Sequence, residues 1–518
     1  MAKWFVAAKK ADFEGIGRRF HVSPVLARII RNRDIIGEDA IAKYLEGSVD
    51  QLYDPALLGN AARAAQLLKE KIEGQMPIRV IGDYDADGIC SAYILKRALT
   101  ACGARADAAI PHRVRDGYGL NEHLVEEACR DGIDTIITCD NGIAAAEQIA
   151  LAKRLGMTVI VTDHHEVPYE ETEGEESSRR YLIPPADVVV DPKQPGDTYP
   201  FREICGAVVA FKVMQLLFSS FGLPGISDGR QERTLLDELL ELAAFATVCD
   251  VMPLRDENRI LVRRGLELMS DSQNAGLRAL MEVCQVRPGE GRRLSAFHIG
   301  FVLGPCLNAS GRLDSAAQAL QLLESRSREA AVVQAAFLKQ LNDSRKEMTE
   351  RFVEEAAEHI ESSSLKEDRV LVVFLPECHE SIAGIIAGRL RERYYRPVFV
   401  LTQGEEGVKG SGRSIETYHM YDEMTKCRQF FTKYGGHKMA AGLSMRTEDV
   451  EPFRREINRI CRLTPEDMEE RIHIDVPLPV SRVTFGLVEE LEKLEPFGTG
   501  NPKPVFAQKD LRLLSARA

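Results

Sequence analysis

Between residues 78 and 190 the chain alternates two textures. Short apolar runs at 78–81, 134–139, 157–162 and 188–190 predict β-strands. Between them, residues 89–102 and 144–155 place apolar side chains every three or four positions, which predicts helices, each closed by a glycine (Gly103, Gly156). Strands alternating with helices predict an α/β fold with a parallel, doubly wound sheet, whose function gathers at the C-terminal strand ends. Upstream, residues 1–75 read as helical and connective, with one amphipathic helix over 57–72 stopped by Gly74. Downstream, 235–247 predicts a buried helix leading into Cys249-Asp250, and 328–362 a single long helix. A second α/β unit opens near Arg369, with a strand at 370–374, a helix at 381–394, a strand at 397–401 and glycine-rich segments at 410–412 and 435–436. A short mixed tail runs from Ile472.

Composition narrows the class. A length of 518 residues predicts two to four domains. Lys plus Arg number 67 against 79 Asp plus Glu, a net charge of −12, which excludes a binder that relies on bulk positive charge. A nucleic-acid enzyme with a local basic groove remains compatible. Eleven cysteines include no C-x-x-C, and the closest pair is Cys129 and Cys139, so neither a zinc ribbon nor a disulfide framework is expected. The start lacks a signal-like apolar stretch, and no run of about 18 apolar residues exists to span a bilayer. These features predict a cytoplasmic protein with free thiols and no membrane contact. Six glutamates between 166 and 176 (Glu166, Glu170, Glu171, Glu173, Glu175, Glu176) are expected to form a solvated loop.

The chemistry sits at the strand ends. The first ends in Asp83-Tyr84-Asp85-Ala86-Asp87-Gly88, the second in Asp140-Asn141-Gly142 and the third in Asp163-His164-His165, while Asp250 follows the buried helix. Two divalent ions are held well by a bridging carboxylate with further oxygen and imidazole ligands. In an extended segment, residues i and i+2 face the same way, so alternating aspartates are expected to point at one ion cluster, with Gly88 turning the chain into the helix. A single strand-end Asp is more often a helix cap. A calcium loop is excluded because its twelfth position is Ile94. Three such clusters on one sheet favour a dinuclear hydrolase.

These segments resemble the motifs of the DHH phosphoesterases, together with Asp250-Val251-Met252-Pro253-Leu254. Within that superfamily the chain is similar, over essentially its whole length, to the bacterial exonucleases specific for single strands. The finer likeness lies in the loop from Arg113 to Leu120, in Asn308-Ala309-Ser310-Gly311-Arg312, in Gly410-Ser411-Gly412-Arg413-Ser414, in the segment 435–442 and in 496–506.

The resemblance implies a DHH-type catalytic domain joined by a long helix to a second α/β, DHH-associated domain, with an incomplete oligonucleotide-binding (OB) β segment at the C-terminus. The expected boundaries are 1–75 (N-terminal helical segment of the catalytic unit), 76–265 (catalytic), 266–365 (helical linker), 366–462 (substrate-binding) and 463–518 (partial OB fold). Only 12 residues follow Phe506, too few to finish the family's barrel. The implied activity is metal-dependent 5′→3′ hydrolysis of single-stranded DNA to 5′-mononucleotides, in repair and recombination. The implied cofactors are two divalent cations, Mn2+ or Mg2+. Asp140 bridges them; Asp87, His164 and Asp250 complete one shell, and Asp85 holds the other ion. His165 sits behind the ligands or contacts the scissile phosphate, and Asp83 either ligates through water or orients the loop. Simpler relatives carry a His ligand four residues before Asp85; here Ile81 stands there, so one ion is expected to be more open.

Nucleic acid is expected at Arg113, which receives a 5′-phosphate unless it merely pairs with Asp116, and at Asn308, Arg312, His379, Arg413, Gly435, Gly436 and His437. The glycines are expected to bring backbone N–H groups to phosphates. Tyr118 either stacks on a base or packs within its loop. The chain departs from the family where Cys306 replaces an Arg and where Cys378 and Ser381 replace Trp and Gly; Cys306→Arg is expected to tighten DNA binding. Implied partners are a single-strand-binding protein and a helicase, and the chain is expected to be a monomer. Two other classes fit less well: a phosphodiesterase for very short or cyclic oligonucleotides, and a silent DNA-binding scaffold.

Overall fold

The computed structural model describes residues 3–113, 115–172, 178–227, 232–289, 293–404, 407–512 and 515. Val114 of the Arg113 loop and Glu173, Glu175 and Glu176 of the acidic run lie outside them. The chain packs as two compact units. One takes the first residues up to Val6 with Asp343–Ile474, the other Ala7–Asn342 with Asp475–Ala518.

In the larger unit, strands β1 (Ile78–Ile81), β2 (Ala106–Ala109), β3 (Thr135–Cys139), β4 (Thr158–Thr162) and β5 (Val188–Val190) form one parallel sheet in the order β2-β1-β3-β4-β5. Strand side chains alternate between two cores. Val80, Ile137, Ile160, Val188 and Val190 pack on helices α1 (Ala61–Glu73), α2 (Ala86–Ala101) and, later in the chain, Gly206–Ser220. Ile81, Ile136, Val159, Val161 and Val189 pack on α3 (Glu122–Arg130) and α4 (Ala146–Arg154). Burial on both faces explains the near-continuous apolar strands. The half-buried edge strand β2 lacks that signature.

The order β2-β1-β3 makes the gap between β1 and β3 the topological switch point, where adjacent connections leave on opposite faces and open a crevice. Helix α5 (Gly206–Ser220) follows β5, and α6 (Leu235–Cys249) is buried, capped at its start by Thr234 and ending at Asp250. Next come α7 (Gly304–Leu313), preceded by a π-helical turn at His298–Leu303, and the long α8 (Arg328–Ser362). Part of the acidic run, expected as a loop, is instead a strand: Tyr169–Thr172 pairs antiparallel with Ser178–Tyr181. Arg180 opposite Glu170 supplies the cross-strand charge pair that favours it.

The smaller unit holds β6 (Leu371–Phe374), helix α9 (Glu380–Tyr394), β7 (Val398–Gly404), β8 (Gly407–Arg413), β9 (Phe431–Gly436) and β10 (Ala440–Met445). Their order is β9-β10-β8-β7-β6, with β6 and β7 parallel and the other pairs antiparallel. A strand at Lys3–Val6, where helix or connection was expected, pairs with Arg471–Ile474 of the same unit. Four residues whose partner lies some 470 positions away leave no local signal.

The C-terminal tail pairs Val476–Pro477 with Phe506–Ala507 and seals onto the N-terminal helices of its unit. Buried Asn501 takes hydrogen bonds from Arg33 Nε (2.8 Å) and Tyr44 Oη (2.9 Å) and gives them to the Leu494 and Pro496 carbonyls.

Candidate metal centre

The site is built at the switch point. Asp85 caps α2, its carboxylate accepting from the backbone N–H groups of Asp87 (3.0 Å) and Gly88 (3.1 Å). The helix therefore starts at Ala86, earlier than its apolar periodicity indicates, and Asp87 sits in its first turn. The expectation of one extended segment with alternating aspartates is thus corrected, because the cap bends the chain after Asp85. Gly88 also serves a different purpose from the one expected. It lies inside the helix, and a Cβ there would sit 2.4 Å from the Asp83 carbonyl oxygen, so glycine allows close approach rather than a turn.

Asp140 leaves β3 at φ 60°, in the left-handed region. Gly206, at the start of α5, makes room for it: a Cβ there would lie 2.7 Å from the Asp140 Cβ. The same helix start holds Asp87, which accepts from Gly206 N–H (2.7 Å) and Ala207 N–H (2.8 Å). Asp163, after β4, accepts from Ile143 N–H, from His164 N–H and from His165 Nδ1 (2.8 Å). Asp250 caps the C-terminal end of α6.

Ligand atoms converge in three overlapping groups, each with its atoms within 4.8 Å of one another: Asp87, His164 and Asp250; Asp83, Asp85 and Asp140; Asp140, His164 and His165. His164 Nε2 lies 3.0 Å from Asp140 Oδ1, 3.6 Å from Asp87 Oδ2 and 3.7 Å from Asp250 Oδ2. Every residue singled out as a ligand is present, and Asp140 belongs to both carboxylate–imidazole and carboxylate-only groups. Ile81 is fully buried in the sheet core and offers no ligand.

The charges are crowded, and Asp83, Asp87, Asp140, Asp163 and His164 are buried. Burial, and then the neighbouring Asp85, push Asp83 up to about 8. Burial followed by Asp87 and Asp85 takes Asp250 to about 8, and burial with Asp85 takes Asp87 to about 6 against the helix N–H bonds. Asp140 is held well above the carboxylate range by burial and then by Asp87. Burial, and then His165, pull His164 down to about 3, leaving a neutral imidazole fit to ligate. For His165, burial is outweighed by the Asp163 hydrogen bond and charge, which raise it to about 9. Buried carboxylates around a neutral imidazole are a donor set for hard divalent cations. Asp250 Oδ2, buried without a hydrogen-bond partner, is the lone pair such an ion would take up.

Around the centre, Tyr118 Oη donates to the Asp140 carbonyl (2.7 Å), and its ring meets His165 and Tyr84 edge-on. Its side chain is nonetheless half exposed. Arg113 lies over the Tyr84 ring, 4.5 Å from its centroid, and Asp116 pairs with Arg115 instead. Asn308 Oδ1 accepts from Ala86 N–H (2.8 Å), so α7 pins the first turn of α2. Arg312, on the same helix, lies within electrostatic reach of Tyr84.

The remaining candidates belong to the other unit. His379 caps α9 through Nδ1, with Ser381 Oγ at 2.6 Å. Arg413 Nη2 is 2.8 Å from where a Cβ on Gly384 of α9 would stand. Gly435, Gly436 and His437 are exposed at the end of β9.

Family models match along the chain: the DHH family N-terminal domain over residues 77–247, the DHHA1 domain over 367–463 and the RecJ OB domain over 474–518. The single-stranded-DNA-specific exonuclease RecJ of Escherichia coli (strain K12) is 33% identical over 507 residues, covering 95% of this chain and 84% of that protein. The chain belongs to the RecJ family. The Bacillus subtilis (strain 168) RecJ is 35% identical over 97% of this chain, which spans 61% of that protein's length. The crystal structure of RecJ in complex with Mn2+ from Thermus thermophilus superposes with a TM-score of 0.81 at 29% identity, covering 98% of this chain and 69% of that one.

Where the family resemblance gives an Arg, Cys306 is buried. Its thiol is 1% exposed, 3.7 Å from Cys284 Sγ and 3.6 Å from Asn342 Nδ2, so an arginine introduced there would be buried rather than offered to DNA. Cys378 is likewise buried. Asp163 was not singled out as a functional residue. It is the one strand-end carboxylate that takes its hydrogen bonds from the His-His pair and its loop; its place in Asp163-His164-His165 was the available signal.

Proposed function

We propose that the chain is a metal-dependent exonuclease that hydrolyses single-stranded DNA from the 5′ end to 5′-mononucleotides, in DNA repair and recombination. The observation that carries this reading is the shared Asp140: two ligand groups meet at one buried carboxylate in the crevice of the sheet. The E. coli and B. subtilis relatives bear the name single-stranded-DNA-specific exonuclease, and the Thermus relative was crystallised with Mn2+ and with Mg2+.

In this reading Asp140 would be shared between two divalent cations, manganese or magnesium, with Asp87, His164 and Asp250 the residues that would hold one and Asp85 with Asp83 the other. When bound, the ions lower the pKa of water and offset charge gathering on the phosphoryl oxygens. His165, cationic beside Asp163, contacts the scissile phosphate. Tyr118 holds the Asp140 backbone, and the β1 loop excludes water around Asp83. Arg113, stiffened over Tyr84, receives the 5′-phosphate. Asn308 and Arg312, with His379, Arg413, Gly435, Gly436 and His437 of the other unit, follow the strand through its backbone, which gives sequence-independent, salt-sensitive binding.

Residues 76–265 form the catalytic domain and 366–462 the substrate-binding domain, with 1–75, apart from the strand Lys3–Val6, and 266–365 as helical supports and 463–518 as a partial OB fold. The chain works as a cytoplasmic monomer beside a single-strand-binding protein and a helicase. Among the described residues, no helix is long and apolar enough to cross a membrane.

The test uses single strands labelled at either end, a matching duplex and a dinucleotide, each with Mn2+ or Mg2+. Mononucleotides released first from the 5′ end of the single strand are the expected result. Release from the 3′ end, equal attack on the duplex or no hydrolysis at all would overturn the proposal.

A further inference from the structure

The site gathers the carboxylates of Asp83, Asp85, Asp87, Asp140, Asp163 and Asp250, yet a phosphodiester must approach it. Cations therefore matter on both flanks. On the Asp83 side stands Arg113, whose charge reaches Asp83 and Tyr84. Besides His165, the cation whose field reaches His164, Asp250 and Asp191 is Lys193, a residue outside every motif considered so far.

Its position follows from the sheet. Strands β4 and β5 are neighbours in register, Thr162 against Val190, and Asp163 N–H bonds to the Val190 carbonyl (3.0 Å). The loop after β5 thus runs beside the Asp163-His164-His165 loop. Asp191, fully buried, accepts from the Lys193 N–H through Oδ1 (2.7 Å) and turns the chain there; its Oδ2 has no hydrogen-bond partner. The Lys193 side chain is 19% exposed, and its Nζ sits 3.2 Å from Glu166, the residue directly after His165. Glu166 is 85% exposed and free to swing away, so the ammonium stands beside the residue that follows the His164-His165 pair, held by a partner that solvent can replace.

We propose that Lys193 is a substrate-contacting residue whose ammonium donates to a non-bridging oxygen of the scissile phosphodiester, on the His164–Asp250 side of the site. The proposal rests on the exonuclease reading above. In the ground state Lys193 pairs with Glu166; when substrate enters, the phosphate replaces that carboxylate. A flexible ammonium is suited to this, as a point charge that follows the phosphoryl oxygens. Losing one such donor costs on the order of a hundredfold in rate.

The experiment measures kcat and KM, in Mn2+, for a long single strand and for a dinucleotide, with wild type, Lys193→Ala, Lys193→Arg and Glu166→Gln. Both substrates present a scissile phosphate, so Lys193→Ala should slow both by a similar factor, on the order of a hundredfold and mainly in kcat. Lys193→Arg should recover much of the loss, and Glu166→Gln should leave both rates near wild type. A loss confined to the long strand would place the contact elsewhere and overturn the proposal. So would equal losses from Glu166→Gln and Lys193→Ala, which would reduce Lys193 to a loop tether. An unaffected Lys193→Ala also overturns it while the exonuclease reading stands. A wild type that cleaves neither substrate sinks that reading itself.

Discussion

Asp140 concentrates the argument at the scale of single residues. It is buried, held at a positive φ, seated against Gly206 and shared between ligand groups. Asp140→Ala should cut nuclease activity on the order of a thousandfold or more, as expected when the bridge between two ions is lost. The fold should survive, because removing one of several mutually repelling buried carboxylates relieves charge rather than packing. Circular dichroism and a melting curve beside the rate measurement check both halves; a large drop in Tm would show that Asp140 also serves the fold. Residues of this kind were legible in the sequence because carboxylates at strand ends follow from the strand pattern. Asp163 lay in the same strand-end pattern, but its role in holding His165 and the Ile143 backbone depends on partners that spacing does not show, and Lys193 lay outside every pattern. Gly88 was noticed for the wrong reason: its need arises from the Asp83 backbone packed on it, which no spacing rule contains.

At the scale of elements, α6 and α7 carry less visible constraints. Glu241 lies inside α6, 1% exposed, hydrogen-bonded by Ser272 Oγ. Burial lifts it to about 7, partly offset by Ser272 and Arg233. A raised acid pKa means the unfolded chain releases this proton first. The folded state is favoured below the ordinary value near 4.5, and stability is lost as pH rises from there toward 7. Glu241→Gln removes that loss, so its stability advantage over wild type should grow between pH 5 and pH 7 and then level off, as read by urea denaturation. An advantage independent of pH would contradict this.

On α7, Cys306→Arg should cost at least about 3 kcal/mol by burying an unpaired charge among Cys284, Val302 and Asn342. DNA affinity should not improve; tighter binding by a stable variant would restore the original expectation. Strands and long helices were readable here, including 328–362 to the residue, because burial on one or both faces writes a period into the sequence. The edge strand β2, the strand Lys3–Val6 and the early start of α2 were not, since pairing at an edge, pairing at a distance and capping carry little periodic signal.

At the scale of the whole molecule, the 493–502 segment is bound to residues far away in the sequence. Arg33, Tyr44 and Arg259 from the first half of the chain converge on the 493–502 segment, with Arg259 donating to the Leu494 carbonyl (2.8 Å) and Lys493 carbonyl (3.0 Å). Asn501→Ala strips four hydrogen bonds from a fully buried point and should destabilise the larger unit by about 2–4 kcal/mol, measured by denaturation. A change under about 0.5 kcal/mol would show that the tail is only loosely held. The acidic net charge of −12 also takes on meaning at this scale, since part of it is gathered in one crevice where cations are wanted.

That is the central claim, and metal counting tests it most directly. Wild type and Asp140→Asn are loaded with Mn2+, freed of excess ion and analysed for metal per chain by mass spectrometry, with nuclease rates taken on the same samples. The account predicts about two ions per wild-type chain, clearly fewer in the variant, and activity that falls with them. Full activity on single strands with the metal stripped, or two tightly held ions in an active Asp140→Asn protein, would contradict it.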